Sequence, residues 1–383
     1  MVKVFLTGDN HFGKKYDRYP DIRNKLIESR FSVLSDMVKK AEEEACDFFA
    51  VSGDLFDKIN GIKKADVKKV VDILSAFNGT VLVLPGNHDY YTGTETVWKD
   101  FEKAAETGNI VLLNEFREYP FEAGDEQVVV YPAFCQSKHS SKNNLGWIKE
   151  ADIQKNDVIN IGIAHGAIAG LTPDQEGEYF LMSEEELKAI PVDVWLIGHT
   201  HVPYPADLKE DKDTSGHKIF NAGTHEQTDL ANHTDGNGFI ITIEKHGSRS
   251  KVSARKYVSG KIHFADLEAK VSPNSQHSLH DALVKALNGL KKETVVRLTV
   301  KGIAETEEYQ NRHEAYKELL DGYLSYEISD EELSEEISKE KIRSEYAETS
   351  FAAQFLEQLL DEPAELQMAY GLLNECREDK AGK

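Results

Sequence analysis

The sequence predicts an α/β fold built on strands that are buried on both faces, and three observations carry that prediction. Short apolar runs recur at residues 2–7, 47–52, 80–84, 158–164 and 193–197. They are near-continuous instead of alternating, as expected of strands covered on both sides. Segments with apolar residues at helical spacing separate the first three runs, and strand–helix alternation of this kind argues an α/β sheet. Each run also ends in a cluster of Asp, Asn, His and Gly.

The elements follow in order. A helix is predicted over residues 22–46, where Leu26, Ile27, Phe31, Leu34, Met37, Val38 and Ala41 make one apolar stripe, and another over 64–77 through Val67, Val70, Val71 and Leu74. Residues 239–243 and 253–257 read as a strand pair closing the layer. Residues 258–325 read as a smaller α+β unit with a helix at 278–290 and a strand at 295–300. Residues 326–345 are dense in Glu, Ser and Lys and read as an acidic linker or solvated helix. Beyond them, Phe351, Phe355, Leu356, Leu359 and Leu360 form one stripe. Pro363 interrupts, and Leu366, Ala369, Tyr370 and Leu373 form a second, the pattern of a helical hairpin. The expected division is therefore 1–257, 258–325, 326–345 and 346–383.

The chain of 383 residues carries 67 acidic and 45 basic side chains, a formal charge of −22. That balance is unfavourable for a free nucleic-acid binder, which needs clustered cations. The excess is concentrated in residues 303–383, with 22 acidic and 8 basic side chains. Lys39, Lys40, Lys58, Lys63, Lys64, Lys68 and Lys69 give local basic surface, readable as solvated helix faces or as a DNA track. Cys46, Cys135 and Cys376 are too few and too scattered for a disulfide framework or a zinc motif. No apolar run approaches the ~20 residues needed to cross a bilayer, and no basic-then-apolar leader is seen. A reducing cytoplasm is the expected setting.

The clusters that end the five runs are Asp9-Asn10-His11, Gly53-Asp54-Leu55-Phe56-Asp57, Gly86-Asn87-His88-Asp89, His165-Gly166 and Gly198-His199-Thr200-His201. Ligands of open α/β sheets bind outside the carboxyl ends of the strands, so the clusters are expected to converge. Carboxylate, amide-oxygen and imidazole donors suit Mn²⁺, Fe²⁺ or Zn²⁺, and the lack of thiolate argues against a closed structural zinc site. Two ions at ~3.5–4 Å need a bridging carboxylate, and Asp54 lies in the middle of the constellation. Asp9, His11, Asp54 and His201 are assigned to one metal, and Asp54, Asn87, His165 and His199 to the other. Such a pair activates water and neutralises phosphate oxygens. His88 is the candidate for stabilising or protonating the leaving oxygen, and Asp57 for orienting His88 or the substrate.

The series D-x-H, G-D-x-x-D, G-N-H-D, H-G and G-H-T-H resembles that of the calcineurin-like metallophosphoesterases, firmly over residues 1 to about 245. Within that superfamily the chain looks like the SbcD, or meiotic-recombination-eleven, nucleases. The phrase Gly53-Asp54-Leu55-Phe56-Asp57, the length, the small α+β unit and the helical tail carry that likeness. The resemblance implies a two-sheet metallophosphoesterase sandwich flanked by helices, with a capping (DNA-binding) domain and a C-terminal helical tail. It implies a Mn²⁺-dependent 3′-to-5′ exonuclease on duplex ends and endonuclease on single strands and hairpins, acting in DNA double-strand-break repair and recombination. It further implies a homodimer, paired through one of the first two helices, and an SMC-like ABC-type ATPase (SbcC-type) bound by the C-terminal helices. The setting is the bacterial cytoplasm and nucleoid, with no membrane. Two positions depart from the pattern: Asn10 stands where the family usually has a bulky residue, and Asp57 where archaeal and eukaryotic relatives have His but bacterial ones commonly have Asp.

Two other functions are compatible with the same residues: a phosphoesterase for small phosphodiesters or nucleotides, and a largely non-catalytic DNA-end scaffold for the ATPase. The nine histidines outside the motifs, His277 among them, read as surface or ordinary polar residues. His225 is the exception, because it follows a predicted strand and could line the cleft. The tryptophans Trp98, Trp147 and Trp195 read as packing residues.

Overall fold

The computed structural model describes residues 1–106, 108–171, 177–272 and 278–381. The chain divides into two units, 1–264 and 265–383.

The first unit begins with β1 (Val2–Thr7), α1 (Arg23–Glu43), β2 (Phe48–Val51), α2 (Lys64–Leu74), β3 (Thr80–Val83), α3 (Thr96–Ala105) and β4 (Ile110–Leu112). It continues through β5 (Tyr119–Ala123), β6 (Glu126–Ala133), α4 (Gly146–Glu150), β7 (Val158–His165), α5 (Glu184–Ala189) and β8 (Val194–Gly198). It ends with β9 (Thr214–Ser215), β10 (Ile219–Asn221), β11 (Asn237–His246) and β12 (Arg249–Val258). The strands form a seven-stranded sheet, β4-β3-β2-β1-β11-β12-β9, and a five-stranded sheet, β10-β8-β7-β6-β5. β1 to β4 run parallel, as do β6, β7, β8 and β10. The mixed α/β two-sheet architecture is the one expected, and the runs at 239–243 and 253–257 are indeed partners, lengthened to β11 and β12.

Alternation within the strands sorts the core into layers. Val2, Val4 and Leu6 of β1 point between the sheets, against Ile161, Ile163, Val194 and Leu196. Phe5, Phe49, Val81 and Val83 point the other way, onto Leu34, Met37 and Val38 of α1 and Val70 of α2. Trp195 and Ile197 meet Leu187 of α5 on the outside of the second sheet. Both faces of both sheets are therefore apolar, which is why the runs read as continuous.

The second unit takes up β13 (His263–Val271), α6 (Leu279–Leu287), β14 (Thr294–Ala304), α7 (Thr306–Gln310), α8 (Arg312–Leu320) and β15 (Ser325–Glu335), then α9 (Lys339–Glu345), α10 (Phe351–Gln358) and α11 (Pro363–Ala381). Its sheet has the order β13-β14-β15. Residues 326–335, expected as part of a linker, instead continue from Ser325 as β15, parallel to β14 with an irregularity at Thr299/Lys301. As an edge strand it needs one neighbour only, so its many acids stay in water and hide the strand pattern. The helical hairpin is present. Ser350 caps α10 by accepting the Ala353 N–H, and Pro363 opens α11, the first-turn position that tolerates a missing N–H. Leu356 and Leu366 are buried with Ile337 and Ile342, whereas Phe351 (78%), Met368 (71%) and Leu372 (57%) are left exposed.

Candidate metal centre

The loops that follow β1, β2, β3, β7 and β8 bring all seven proposed donors together. Three groups form: Asp9, His11 and His201; Asp9, Asp54 and His165; and His11, Asp57 and His88, each with its candidate atoms within 4.8 Å of one another. Asp54 stands between the two proposed donor sets. Its Oδ2 lies 3.8 Å from Nε2 of His11 and 3.4 Å from Nε2 of His165. On the first side, the Nε2 atoms of His11 and His201 are 3.1 Å apart, and His201 Nε2 is 3.9 Å from Asp9 Oδ1. On the other, Asn87 Oδ1 meets His165 Nε2 at 3.0 Å and His199 Nδ1 at 3.1 Å.

Four of the donors are held by a hydrogen bond away from the centre, which is how metal ligands are oriented. Ser52 O can only accept, so His165 Nδ1 carries the proton donated to it at 2.9 Å and Nε2 is turned to the centre. Asn87 donates Nδ2–H to Lys138 O at 3.2 Å, which directs its Oδ1 inward. The His88 N–H donates to Asp54 Oδ1 at 2.8 Å, leaving Oδ2 to face the histidines. The His199 N–H donates to both Asp9 oxygens, at 3.0 and 3.1 Å.

The backbone is strained in the same places. Asp9 (φ 49°), His11 (46°), Asp54 (51°) and His199 (104°) all adopt the left-handed region, which non-glycine residues rarely do and which collects at functional sites. Close approach to donor side chains requires glycine at positions 53 and 86. A Cβ on Gly53, itself at φ 105°, would meet His165 Nδ1 at 2.1 Å, and one on Gly86 would meet Asp54 Oδ1 at 2.2 Å.

Burial sets the electrostatics. Asp9 is withdrawn from water, and desolvation pushes its carboxyl up to about 7. Desolvation also keeps the His11 ring far below its ordinary pKa, and brings His199 down to about 3 and His201 to about 4. These rings are therefore neutral and offer lone pairs, the form that binds a metal. Burial opposes charge on Asp54 and His165 too, but their mutual attraction outweighs it. Asp54 is held well below the carboxylate range and His165 rises to about 9. A proton on His165 thus occupies the lone pair a cation would take. Two buried carboxylates, an amide oxygen and facing imidazole nitrogens are costly to bury unless a positive charge joins them. The residues present fit a pair of divalent ions around Asp54, without thereby selecting Mn²⁺.

His88 and Asp57 stand at the margin. His88 Nδ1 donates to the backbone carbonyl of Asp57 at 3.1 Å, not to its carboxylate. The Asp57 carboxylate faces His11 Nδ1 at 3.8 Å, a ring nitrogen with no hydrogen bond among the described residues. Asp57 therefore orients His88 through its main chain, while its carboxylate lies near His11 without a hydrogen bond to it. His225 does not line the cleft: it is buried against Phe12, with Nε2 3.2 Å from Arg30 O. His277 lies outside the described residues. Trp98, Trp147 and Trp195 pack and donate their indole N–H to backbone carbonyls, and the three cysteines are unpaired.

Two supporting residues escaped the sequence reading. Arg30 is buried on α1 and donates from Nε (3.1 Å) and Nη2 to the carbonyl of Asn10, between Asp9 and His11, and from Nη1 to Tyr16 Oη at 3.1 Å and Glu226 O at 3.3 Å. The usable signal was a cation at a buried position in the repeat Leu26, Arg30, Val33, Met37. Asp89 accepts from Phe56 N at 2.9 Å and Gly86 N at 2.6 Å, tying the second donor loop to the third. Burial, reinforced by Asp54, pushes its carboxyl up to about 8.

A two-sheet α/β sandwich with oxygen and nitrogen donors gathered at its strand ends defines a metallophosphoesterase. The chain belongs to the Calcineurin-like phosphoesterase family, whose pattern it matches over residues 2–203. It is 25% identical over 179 residues to the uncharacterized metallophosphoesterase YhaO of Bacillus subtilis (strain 168), a match spanning 46% of this chain and 42% of that relative. Among solved structures it is similar to the calcineurin-like phosphoesterase YfkN of Bacillus subtilis, with 15% identity, 67% of this chain, 90% of that one and a TM-score of 0.39. It is also similar to a dimetal phosphatase of Danio rerio, with 13% identity, 67% of this chain, 99% of that one and a TM-score of 0.38.

Proposed function

We propose that the chain is a two-metal phosphodiesterase whose substrate is DNA. The observation that carries the phosphodiester chemistry is the placing of Asp54 Oδ2 between His11 and His165, with Asn87, His199, His201 and Asp9 completing the two sides. Bound divalent ions, Mn²⁺ in this reading, would supply Lewis acidity and a nucleophile at neutral pH. The chain's own residues do the rest. Asp9, Asp54, Asn87 and the four histidines hold the ions, and the Asp57 carbonyl fixes His88 so that Nε2 is free to meet the leaving oxygen.

DNA as substrate is supported by the resemblance of residues 53–57 to the SbcD motif and by the second unit, which a compact phosphatase does not need. Its hairpin leaves Phe351, Met368 and Leu372 in water, the kind of apolar helix surface that docks on a partner. In this reading the partner is an SMC-like ATPase, with DNA ends and hairpins as substrate in the bacterial cytoplasm. Homodimer pairing through α1 or α2 uses their charged outer faces, because their apolar faces are consumed by the core. No described helix is long and apolar enough to cross a membrane.

One finding favours the small-substrate reading instead. Lys39, Lys40, Lys58, Lys64, Lys68 and Lys69 each stand beside a carboxylate, so those lysines form solvated surface more readily than a phosphate track. A metal-titrated assay on end-labelled duplex and hairpin DNA, set beside bis-p-nitrophenyl phosphate, separates the two. Cleavage of DNA at a higher kcat/KM supports the nuclease; turnover of the small diester alone refutes it.

A further inference from the structure

The end of the first unit remote from the metal centre holds a hollow of about 520 Å³. It opens at the amino-terminal ends of β7, β8 and β10 and at the β11–β12 turn, whereas the candidate ligands follow the carboxyl ends of β7 and β8. From Asp193 to His199 the chain runs roughly 20 Å of extended strand. The hollow and the centre are separate places.

Its lining is unlike the rest of the protein. Lys155, Lys188, Lys218, Lys245 and Arg249 face one carboxylate, Asp193, in a chain of charge −22. That carboxylate is already engaged. Asp193 Oδ2 accepts from Lys245 Nζ at 2.8 Å, a pair whose side chains are only 3% and 7% exposed, and from Asn160 N at 2.8 Å. Lys188 is paired with Glu184. Lys155, Lys218 and Arg249 have no ion-pair partner among the described residues, and they reach the rim from three different segments. The rim is fixed: the Asp157 N–H donates to Gly247 O at 3.0 Å, and the Gly247 N–H to Asp157 Oδ1 at 2.8 Å. Ile190, Pro191 and Val192 add an apolar wall.

Three cations without an ion-pair partner line one concavity, and their combined field there favours an anion. The volume lies in the ~300–1,000 Å³ range of small-molecule sites, and a hollow suits a compact ligand better than a strand laid along a surface. We propose that this is a second binding site, for a nucleoside di- or triphosphate: its phosphates between Lys155, Lys218 and Arg249, its base against the wall at Pro191.

The test is calorimetric titration of the full chain in EDTA, so that metal-bridged phosphate does not contribute, with pyrophosphate, tripolyphosphate, ADP and ATP. One saturable site is expected. It weakens at least tenfold in Lys218→Glu/Arg249→Glu and in Lys218→Ala/Arg249→Ala, and persists in Asp54→Asn and in Lys103→Glu, a charge reversal on α3. Unchanged hydrolysis of bis-p-nitrophenyl phosphate shows that the paired variants are folded. Tighter ATP than tripolyphosphate supports the nucleotide ligand, and equal affinity overturns the placing of a base at Pro191. Absence of saturation, equal loss in Lys103→Glu, loss in Asp54→Asn, or tighter binding of a single-stranded oligonucleotide than of every phosphate tested overturns the proposal.

Discussion

The two ends of β7 and β8 carry opposite chemistry. At their carboxyl ends, polar groups are buried in conflict: Asp9 and Asp54 are both withdrawn from water, neutral imidazole nitrogens face each other at 3.1 Å, and four donor residues hold left-handed backbone. At their amino ends the single buried charge pair is matched, Lys245 with Asp193, and the remaining cations are in water. Four left-handed donors gather at one end and a single left-handed residue, Asp157, stands at the other, within the same sheet. Conflict of the first kind persists where the surroundings over-determine it, because it serves a function. The matched pair at the other end holds the fold. Substitutions at the two ends should therefore separate activity from stability.

The largest contrast is expected at Asp54. Asp54→Asn keeps an acceptor for the His88 N–H but removes the charge shared by the two donor sets. Hydrolysis should fall to background and bound metal should be lost, while the variant still unfolds in one cooperative transition. Metal analysis, a hydrolysis assay and urea unfolding on one preparation check this. Full metal content in that variant would remove Asp54 as the shared ligand. His88→Ala comes next. Its ring touches no carboxylate and sits beside the donors, so turnover should drop about 10²–10⁴-fold with metal content intact. A loss of metal equal to the loss of rate would make His88 a ligand instead.

The opposite pattern is expected at the amino end. Asp193→Ala leaves the Lys245 ammonium buried without its partner, and breaking such a pair costs about 3–5 kcal/mol. Metal content and kcat should survive wherever the variant remains folded. Lost activity at unchanged unfolding midpoint would show that the two ends are not separable. Arg30→Met is intermediate, because it strips the donors from Asn10 O without touching a ligand. Removal of such a supporting residue typically lowers metal affinity about 10–100-fold, readable by titration with a chelator.

How much of this was legible follows the same division. The convergence of the clusters was readable because each follows an apolar run that marks a strand end. The supporting contacts were not. Arg30 and Asp89 act through backbone groups of Asn10, Phe56 and Gly86, and backbone partners leave no trace in residue identity. The contact of Asp57 is of this kind as well: its position suggested a part in orienting His88, and it is the backbone carbonyl that makes that bond. The hollow was invisible because Lys155, Lys218 and Arg249 are far apart in the chain and meet only when β7, β10 and β12 are assembled. β15 was missed because an acidic edge strand shows almost no alternation.

The smallest effect is expected from neutralising the rim of the hollow, and it is the sharpest test of the division between the ends. Lys218 and Arg249 are exposed and form no ion pair among the described residues. If the amino end holds the fold only through Asp193 and Lys245, Lys218→Ala/Arg249→Ala should change the unfolding free energy by no more than about 0.5 kcal/mol, the ordinary range for surface positions. Hydrolysis should be unaltered, since roughly 20 Å of strand separates the rim from the donors. A loss of several kcal/mol in urea unfolding would mean that these side chains brace the turn between β11 and β12. The contrast with Asp193 would then vanish, leaving the whole amino end as scaffold.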